Sequence, residues 1–368
     1  MINKMVVANL VQRPIRTLIS VSAVALEVTL ILLIVSVFYG YLNGSKASQM
    51  GVGADVLVQP PGSSNLVGVT GAPMPVKVGD LLRKLPHIVV ASPVIWELTT
   101  KPAVEVIYGI DFDSYNSIPP VFRFLSGGPF QGPNDVIVDD YFASGNHAKV
   151  GDSISILQQS FRISGIVEHG KGARKFLPIT TVQDLIGSPN HASVFYLKLD
   201  DPRNVDAVVN EIKQVPGMEN YSVRSMQEWL SMMTPDNFPG FSTAIRIVIA
   251  ISMIIGFIVI FQSMYTAVME RTREIGILKS LGASKLYIVN VILRETALLA
   301  VVGIVVGTII SLLARRAILI EKPTMRLFWS ADWVIRATII ALTGAILGAL
   351  YPAYKAAQKD PIDALAYE

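Results

Sequence analysis

Cysteine is absent from this chain, which excludes disulfides, thiolate metal ligands and a cysteine nucleophile and is compatible with either side of a bacterial inner membrane. Charge is scarce as well. Asp, Glu, Lys and Arg make up 16% of the 368 residues while 51% are hydrophobic, a balance foreign to a water-soluble protein of this length. The net charge is only +3 and comes from scattered Lys and Arg, so no basic face suggests nucleic acid as a partner. The four histidines, His87, His147, His169 and His191, include no pair three or four residues apart, the spacing that sets two metal ligands on one helix. No G-x-S-x-G elbow is present, and the scattered Ser and Asp form no hydrolase constellation. Catalysis by this chain is therefore not expected.

What the chain has in abundance is long apolar runs. Leu18 to Tyr39, Ile245 to Val268, Tyr287 to Leu313 and Trp333 to Tyr351 each reach about the 20 residues a helix needs to cross the hydrocarbon core. The first exceeds the h-region of a signal peptide and lacks a clear small-residue cleavage site, so it reads as a retained anchor. Spans are expected over 18–40, 245–268, 287–313 and 333–351. Before them, residues 1–17 read as an interfacial helix, with Val6, Val7, Leu10 and Val11 at helical spacing beside Lys4, Arg13 and Arg16. Four spans put both termini on one side. The segments 1–17, 269–286 and 352–368 carry most of the flanking Lys and Arg, which places them in the cytoplasm by the positive-inside rule. The loop 314–332, outside in this topology, contains Arg315, Arg316, Lys322 and Arg326 and does not obey the rule by itself. Trp329 and Trp333 fit an interfacial belt there.

Within the first span lies Glu27. A carboxyl group at membrane depth is costly enough that it normally faces protein, water or a partner. A functional role and a hydrogen-bonded place in a helix interface are both open.

Between the first two spans, residues 41–240 change to prolines, glycines, charges and short alternating runs, the pattern of a folded aqueous domain. Ala54 to Val58, Ile88 to Ile95, Ser193 to Leu199 and Tyr221 to Val223 read as strands, with helices over Val78 to Leu85 and Asn204 to Val215. Two β-α-β units thus flank a middle segment, about 111–187, whose β-rich stretches at 135–139, 153–157 and 161–167 read as an inserted subdomain. The fold class expected is membrane α-helical, with four spans and a large α+β extracytoplasmic domain. That domain combines a β-α-β module with an inserted, mostly β subdomain. Gly165 to Gly172, GIVEHGKG, falls one residue short of a Walker A loop, since Gly172 stands where Ser or Thr would hold magnesium. Gly165 falls within a predicted strand, and the stretch reads instead as a flexible basic turn between Val167 and the strand near Phe176 to Thr180.

The most charged stretch near the spans is Met269 to Lys285, MERTREIGILKSLGASK. As a helix it sets Ile275, Leu278, Lys279 and Gly282 at spacings of three and four, with Glu270, Arg271, Arg273 and Glu274 in a charged turn beyond the lipid. Leu281, Gly282 and Ser284 surround its end, where Gly takes the left-handed cap at no steric cost. Such a short amphipathic helix exposes apolar residues unless membrane or partner covers them.

Glu270 to Ser284 resembles the connection between the second and third spans in the MacB and FtsX-like family of ABC transporter permeases, which includes the lipoprotein-releasing LolC and LolE subunits. Three further segments are similar in the same order. They are Ala8-Asn9-Leu10 with Arg13-Pro14-Ile15-Arg16, Val150 to Ile154 followed by Phe161 to Ile166, and Pro352-Ala353 with Ala356-Ala357 and Asp360 to Leu365. The resemblance covers nearly the whole chain and implies four spans with the large domain between the first two.

It also implies a division of labour. This sequence starts at the pre-membrane helix and holds no complete Walker A, so a separate ABC ATPase subunit is expected to bind ATP and Mg, and no cofactor is expected on this chain. The contacts implied for that subunit are Glu270, Arg271, Arg273, Glu274, Ile275, Leu278, Lys279, Leu281, Gly282 and Ser284, with Asp360, Pro361 and Leu365 of the tail. Further expected partners are a second permease copy or paralogue, membrane lipid, and a periplasmic adaptor, outer-membrane duct or lipoprotein. Function would then be export or extraction by mechanotransmission from the bacterial inner membrane. The alternative is an FtsX-like scaffold that activates an extracytoplasmic hydrolase; a sensor without any ATPase is a third class. Glu27 stands where the family leads one to expect a small or apolar residue.

Overall fold

The structure, a computed structural model, describes residues 13–63, 73–99, 105–237, 240–321 and 325–359. Most of the expected interfacial helix over 1–17 and the tail from 360 onward lie outside the described residues. The chain divides into two compact units, one of 1–40, 240–321 and 327–368, the other of 41–239 with 322–326.

The chain enters through α1 (Pro14–Met50), an apolar helix that supplies residues to both units. In the second unit follow β1 (Val56–Gln59), β2 (Met74–Pro75), α2 (Val78–Leu82), β3 (Ile88–Thr99) and β4 (Glu105–Ile110). The middle segment supplies α3 (Phe112–Asn116), β5 (Phe124–Gly127), β6 (Asp135–Asp139), α4 (Asp140–Asn146), β7 (Ser153–Ile156), β8 (Gln159–Val167), β9 (Lys175–Pro178) and α5 (Ile179–Leu185). Then come β10 (His191–Ala192), β11 (Val194–Leu199), α6 (Val205–Gln214), β12 (Ser222–Ser225) and α7 (Met226–Ser231).

The two β-α-β units interleave rather than stand apart. β11 runs antiparallel to both β1 and β3, and β1 antiparallel to both β11 and β12. The order β12-β1-β11-β3 is the split β-α-β arrangement of ferredoxin-like modules. The inserted strands extend that sheet instead of building their own. β4 pairs in parallel with β9, and the order continues β9-β6-β8-β5, with β7 on β8.

Because side chains alternate along a strand, the sheet sorts its residues onto two faces. Phe195, Leu197 and Val58 meet Leu82, Val208 and Ile212 of α2 and α6, and on the inserted half Ile107, Val138 and Ile163 meet Val182 of α5. Tyr196, one residue from Phe195, points the other way, into an aromatic cluster with Trp96, Tyr108, Tyr115 and Trp229. Gln49 near the end of α1 joins that cluster. Its amide donates to the Tyr108 hydroxyl, and its carbonyl accepts from the Tyr196 hydroxyl at 2.7 Å. Burial pushes the ionisation of Tyr108, Tyr115 and Tyr196 up, so these hydroxyls stay neutral donors.

The first unit adds α8 (Phe241–Glu270), the short α9 (Thr272–Ser280), α10 (Lys285–Glu321) and α11 (Ala331–Gln358). α1, α8, α10 and α11 are long and apolar enough to cross a membrane. Lipid gives apolar side chains no reason to prefer each other, so such helices associate through small residues and close backbone approach. α11 follows that rule with Ala337, Ala341, Ala345 and Ala349, all buried at one-turn intervals. Gly307 of α10 lies so close to Ala25 and Val28 of α1 that Thr29 donates its hydroxyl to the Gly307 carbonyl at 3.1 Å. Ser20 and Ser263 share a hydrogen bond of 2.6 Å between α1 and α8. Tyr39 packs edge-on against Trp333 and stacks with Phe328.

Candidate functional site: the connection between α8 and α10

α8 ends at Glu270 because Arg271 leaves the helical region, with φ −107° and ψ 15°. Thr272 restarts the chain as α9, its hydroxyl donating back to the Met269 carbonyl at 2.9 Å. Ile275 is buried with Val268, Ile288, Ala356 and Ala357, so the apolar face of α9 is covered by this chain's own α8, α10 and α11. Leu278 packs on the same cluster, half-buried. The helix stops at Gly282, whose φ of +91° suits glycine alone among common residues. Ser284 then caps α10 by accepting from the Tyr287 amide at 3.2 Å.

Both ends of α9 are pinned by charge. Glu295 on α10, 3% exposed, accepts from Arg271 at 3.1 Å and from Arg16 of α1 at 2.8 Å. Glu270 pairs with Arg13. At the other end, Lys279 donates to the Ala357 carbonyl at 3.0 Å and to the Lys359 carbonyl. These carbonyls lie in the last turn of α11 and at its C-cap, where a cation also meets the negative end of the helix dipole. A small cleft of about 100 Å³ lies beside this framework, lined among others by Met264, Val268, Arg271, Ile275, Leu278 and Glu295.

The sequence-predicted residues therefore divide into three sets. Ile275, Leu278, Arg271, Lys279 and Glu270 hold the helix in place. Arg273, Glu274, Leu281, Gly282 and Ser284 face outward, Leu281 at 81% exposure. Asp360, Pro361 and Leu365 lie outside the described residues. Sequence reasoning missed two apolar residues on the outward side, Ile277 at 45% and Leu286 at 81% exposure. The signal for Ile277 was its place two residues from Ile275, which on a helix is the opposite face. It also missed Glu295, a carboxylate inside an apolar run and thus open to the same question as Glu27.

Glu27 is brought into none of this. It is 3% exposed and lies against Gly256 of α8 and Gly344 of α11, and its Oε1 has no hydrogen-bonding partner among the described residues. The GIVEHGKG stretch runs from the end of β8 into the turn that precedes β9, as expected. Gly165 sits within β8, and Lys171 is 5% exposed with its ammonium bonded to main-chain carbonyls. A buried lysine whose donors are used has nothing left for a phosphate.

Residues 17–215 match the model of the MacB-like periplasmic core domain, and residues 246–361 that of the FtsX-like permease C-terminal domain. An uncharacterized ABC transporter permease of Methanocaldococcus jannaschii is 27% identical, covering 60% of this chain and 58% of that protein. The macrolide export ATP-binding/permease protein MacB of Acinetobacter baylyi is 25% identical, covering 78% of this chain and 47% of that protein. The chain thus spans little more than half the length of these relatives, or less. Among solved structures, the periplasmic region of MacB from Actinobacillus actinomycetemcomitans aligns with 50% of this chain and 94% of its own, at 15% identity and a TM-score of 0.39.

Proposed function

The chain belongs to the MacB/FtsX-like family of ABC transporter permeases, and from that premise we propose that it is a non-catalytic permease subunit. It converts ATP hydrolysis on a separate ATPase chain into movement of its extracytoplasmic domain. ATP and Mg are held by that partner. The movement drives export or extraction of a substrate that need not pass between the spans. A second permease copy or paralogue completes the assembly, and the α8–α10 connection with both termini faces the cytoplasm.

One observation carries the reading. α9 is fixed at both ends to the spans, by Arg271 on Glu295 and by Lys279 on the end of α11, yet the connection presents Ile277 of α9, Leu281 at its C-cap and Leu286 at the start of α10 outward beside Arg273 and Glu274. An anchored helix moves its spans when pushed, and an exposed apolar edge with a charged rim has the composition of a protein-binding patch. Because Ile275 is spent inside the chain, the outward edge and not the sequence-derived apolar face makes the contact.

The test is copurification from native membranes of the chain with Ile277 and Leu281 both replaced by Asp. Loss of an ATP-binding subunit, with insertion and thermal stability unchanged, is the expected result. Full recovery of that subunit with the double variant would overturn the docking surface. A cell-wall hydrolase recovered in place of any transport partner would point to the scaffold instead.

A further inference from the structure

Lys171 lies in the turn between β8 and β9, within the extracytoplasmic domain and far in sequence from the α8–α10 connection. Its side chain is 5% exposed. The ammonium donates to the carbonyls of Ile118 at 2.6 Å, Pro120, and Val52 at 3.4 Å, and stands 5.4 Å from the centre of the Tyr115 ring and 5.8 Å from that of Phe122. Among the described residues no carboxylate pairs with it, and burial alone pushes its pKa down to about 8. A buried cation without a counter-charge is costly. Three donors meeting three carbonyls are what offset that cost, and the ring faces add a cation–π attraction.

Those carbonyls belong to separate pieces of chain. Val52 closes the end of α1, while Ile118 and Pro120 lie in the loop after α3. Other contacts fasten the same place. Gly172 donates its amide to the Ser48 carbonyl at 2.9 Å, and the Tyr115 hydroxyl donates to the Lys171 carbonyl at 2.8 Å. Glycines make the approach feasible. A methyl group at Gly172 would stand 2.6 Å from the Tyr108 ring, one at Gly51 would fall on the Gly170 carbonyl, and one at Gly53 on the Pro119 carbonyl. Beside this, Gln49 hydrogen-bonds to Tyr108 and Tyr196 on the sheet.

We propose that Lys171 is the pin of a rigid joint that fastens the extracytoplasmic end of α1 to the β-sheet through the carbonyls of Val52, Ile118 and Pro120. In the force-transmitting reading above, this joint is where movement of the first span is handed to the domain. That consequence rests on the reading; the joint itself is testable without any ATPase.

The chain has no cysteine, so spin labels attached through Ala47→Cys on α1 and Asn146→Cys on the inserted half report one distance in the membrane-reconstituted full chain. With Lys171 present a single narrow distribution is expected, the same with the ATPase and trapped nucleotide as without. Lys171→Met keeps the stem and removes the donors. It should broaden the distribution and speed amide exchange over 48–53 about tenfold, while β6 and β8 stay protected. An unchanged distribution and unchanged exchange in Lys171→Met would overturn the joint, as would a broad distribution in the parent. Should that variant fail to fold, reductive methylation of the unmutated protein decides. Lys77, Lys149 and Lys213, all exposed, should be modified while Lys171 is spared, and equal modification of Lys171 refutes it. A joint that passes these tests in a chain lacking any ATPase partner would leave the joint standing and the transport reading lost.

Discussion

Arg271, the residue at which α8 gives way to α9, donates to Glu295 of α10 at 3.1 Å, and Glu295 uses its other oxygen to accept from Arg16 of α1 at 2.8 Å. One buried carboxylate therefore ties the start of α9 to two spans. Removing one partner of a buried ion pair leaves the other charges without compensation, which is worse than losing the pair whole.

Glu295→Ala is accordingly expected to destabilise the membrane unit by about 3 kcal/mol, with Glu295→Gln costing less because one acceptor oxygen remains. Thermal unfolding of the detergent-solubilised chain checks this. Equal melting temperatures for the parent and Glu295→Ala would show that the cluster bears no weight.

Asp139 supplies a pH dependence in the extracytoplasmic domain. It caps α4 by accepting from the Phe142 amide at 2.7 Å, but burial outweighs that bond and pushes its pKa up to about 6. A folded-state pKa above the unfolded value means the native chain holds the extra proton, so stability is greatest below the unfolded pKa and falls as pH rises through about 6. The expected loss is at most about 2 kcal/mol between pH 4 and 7. Asp139→Asn keeps an acceptor for the cap and should flatten this part of the profile. Urea unfolding of the domain at several pH values measures it, and an identical slope in the variant counts against the assignment.

Glu27 and Gly256 make a testable pair. An alanine methyl at Gly256 would fall on a Glu27 carboxyl oxygen, and one at Gly344 would stand 3.9 Å from the other oxygen. Gly256→Ala should lower the melting temperature, whereas the same change combined with Glu27→Ala should cost less than the sum of the two single changes. Strict additivity in this double-mutant cycle would mean that the glycine makes no room for the carboxyl group. Glu27→Gln, with the shape kept, should leave assembly intact; an accompanying loss of transport would assign Glu27 a role beyond packing.

Much of the architecture was legible in the residues. Apolar runs of span length, separated by one polar stretch of about 200 residues, leave few alternatives in lipid, because every backbone group there must be satisfied within a helix. α4 and α7 escaped the sequence reading because each is a short helix of at most seven residues, although Asp139 and Ser225 cap them by accepting from the Phe142 and Glu228 amides. Sequence could not tell that the inserted strands join the ferredoxin-like sheet, since the β4 to β9 pairing is parallel and links residues about 70 positions apart in the chain.

By itself, then, the sequence determined the four spans, the intervening α+β domain, the charged connection at 269–286 and the glycine that ends its helix, because periodicity, hydropathy and backbone permissiveness are local properties. Only the tertiary structure decided which face of that connection is free and which lysines and carboxylates are spent. Ile275 is buried while Ile277 is exposed, Lys279 is bound to the end of α11, and Lys171, in a turn read as basic surface, is buried with its ammonium on main-chain carbonyls. These outcomes depend on which carbonyls and apolar surfaces arrive from distant parts of the chain. A lysine's identity is written in the sequence, but the acceptors that use it are assembled only when the chain folds.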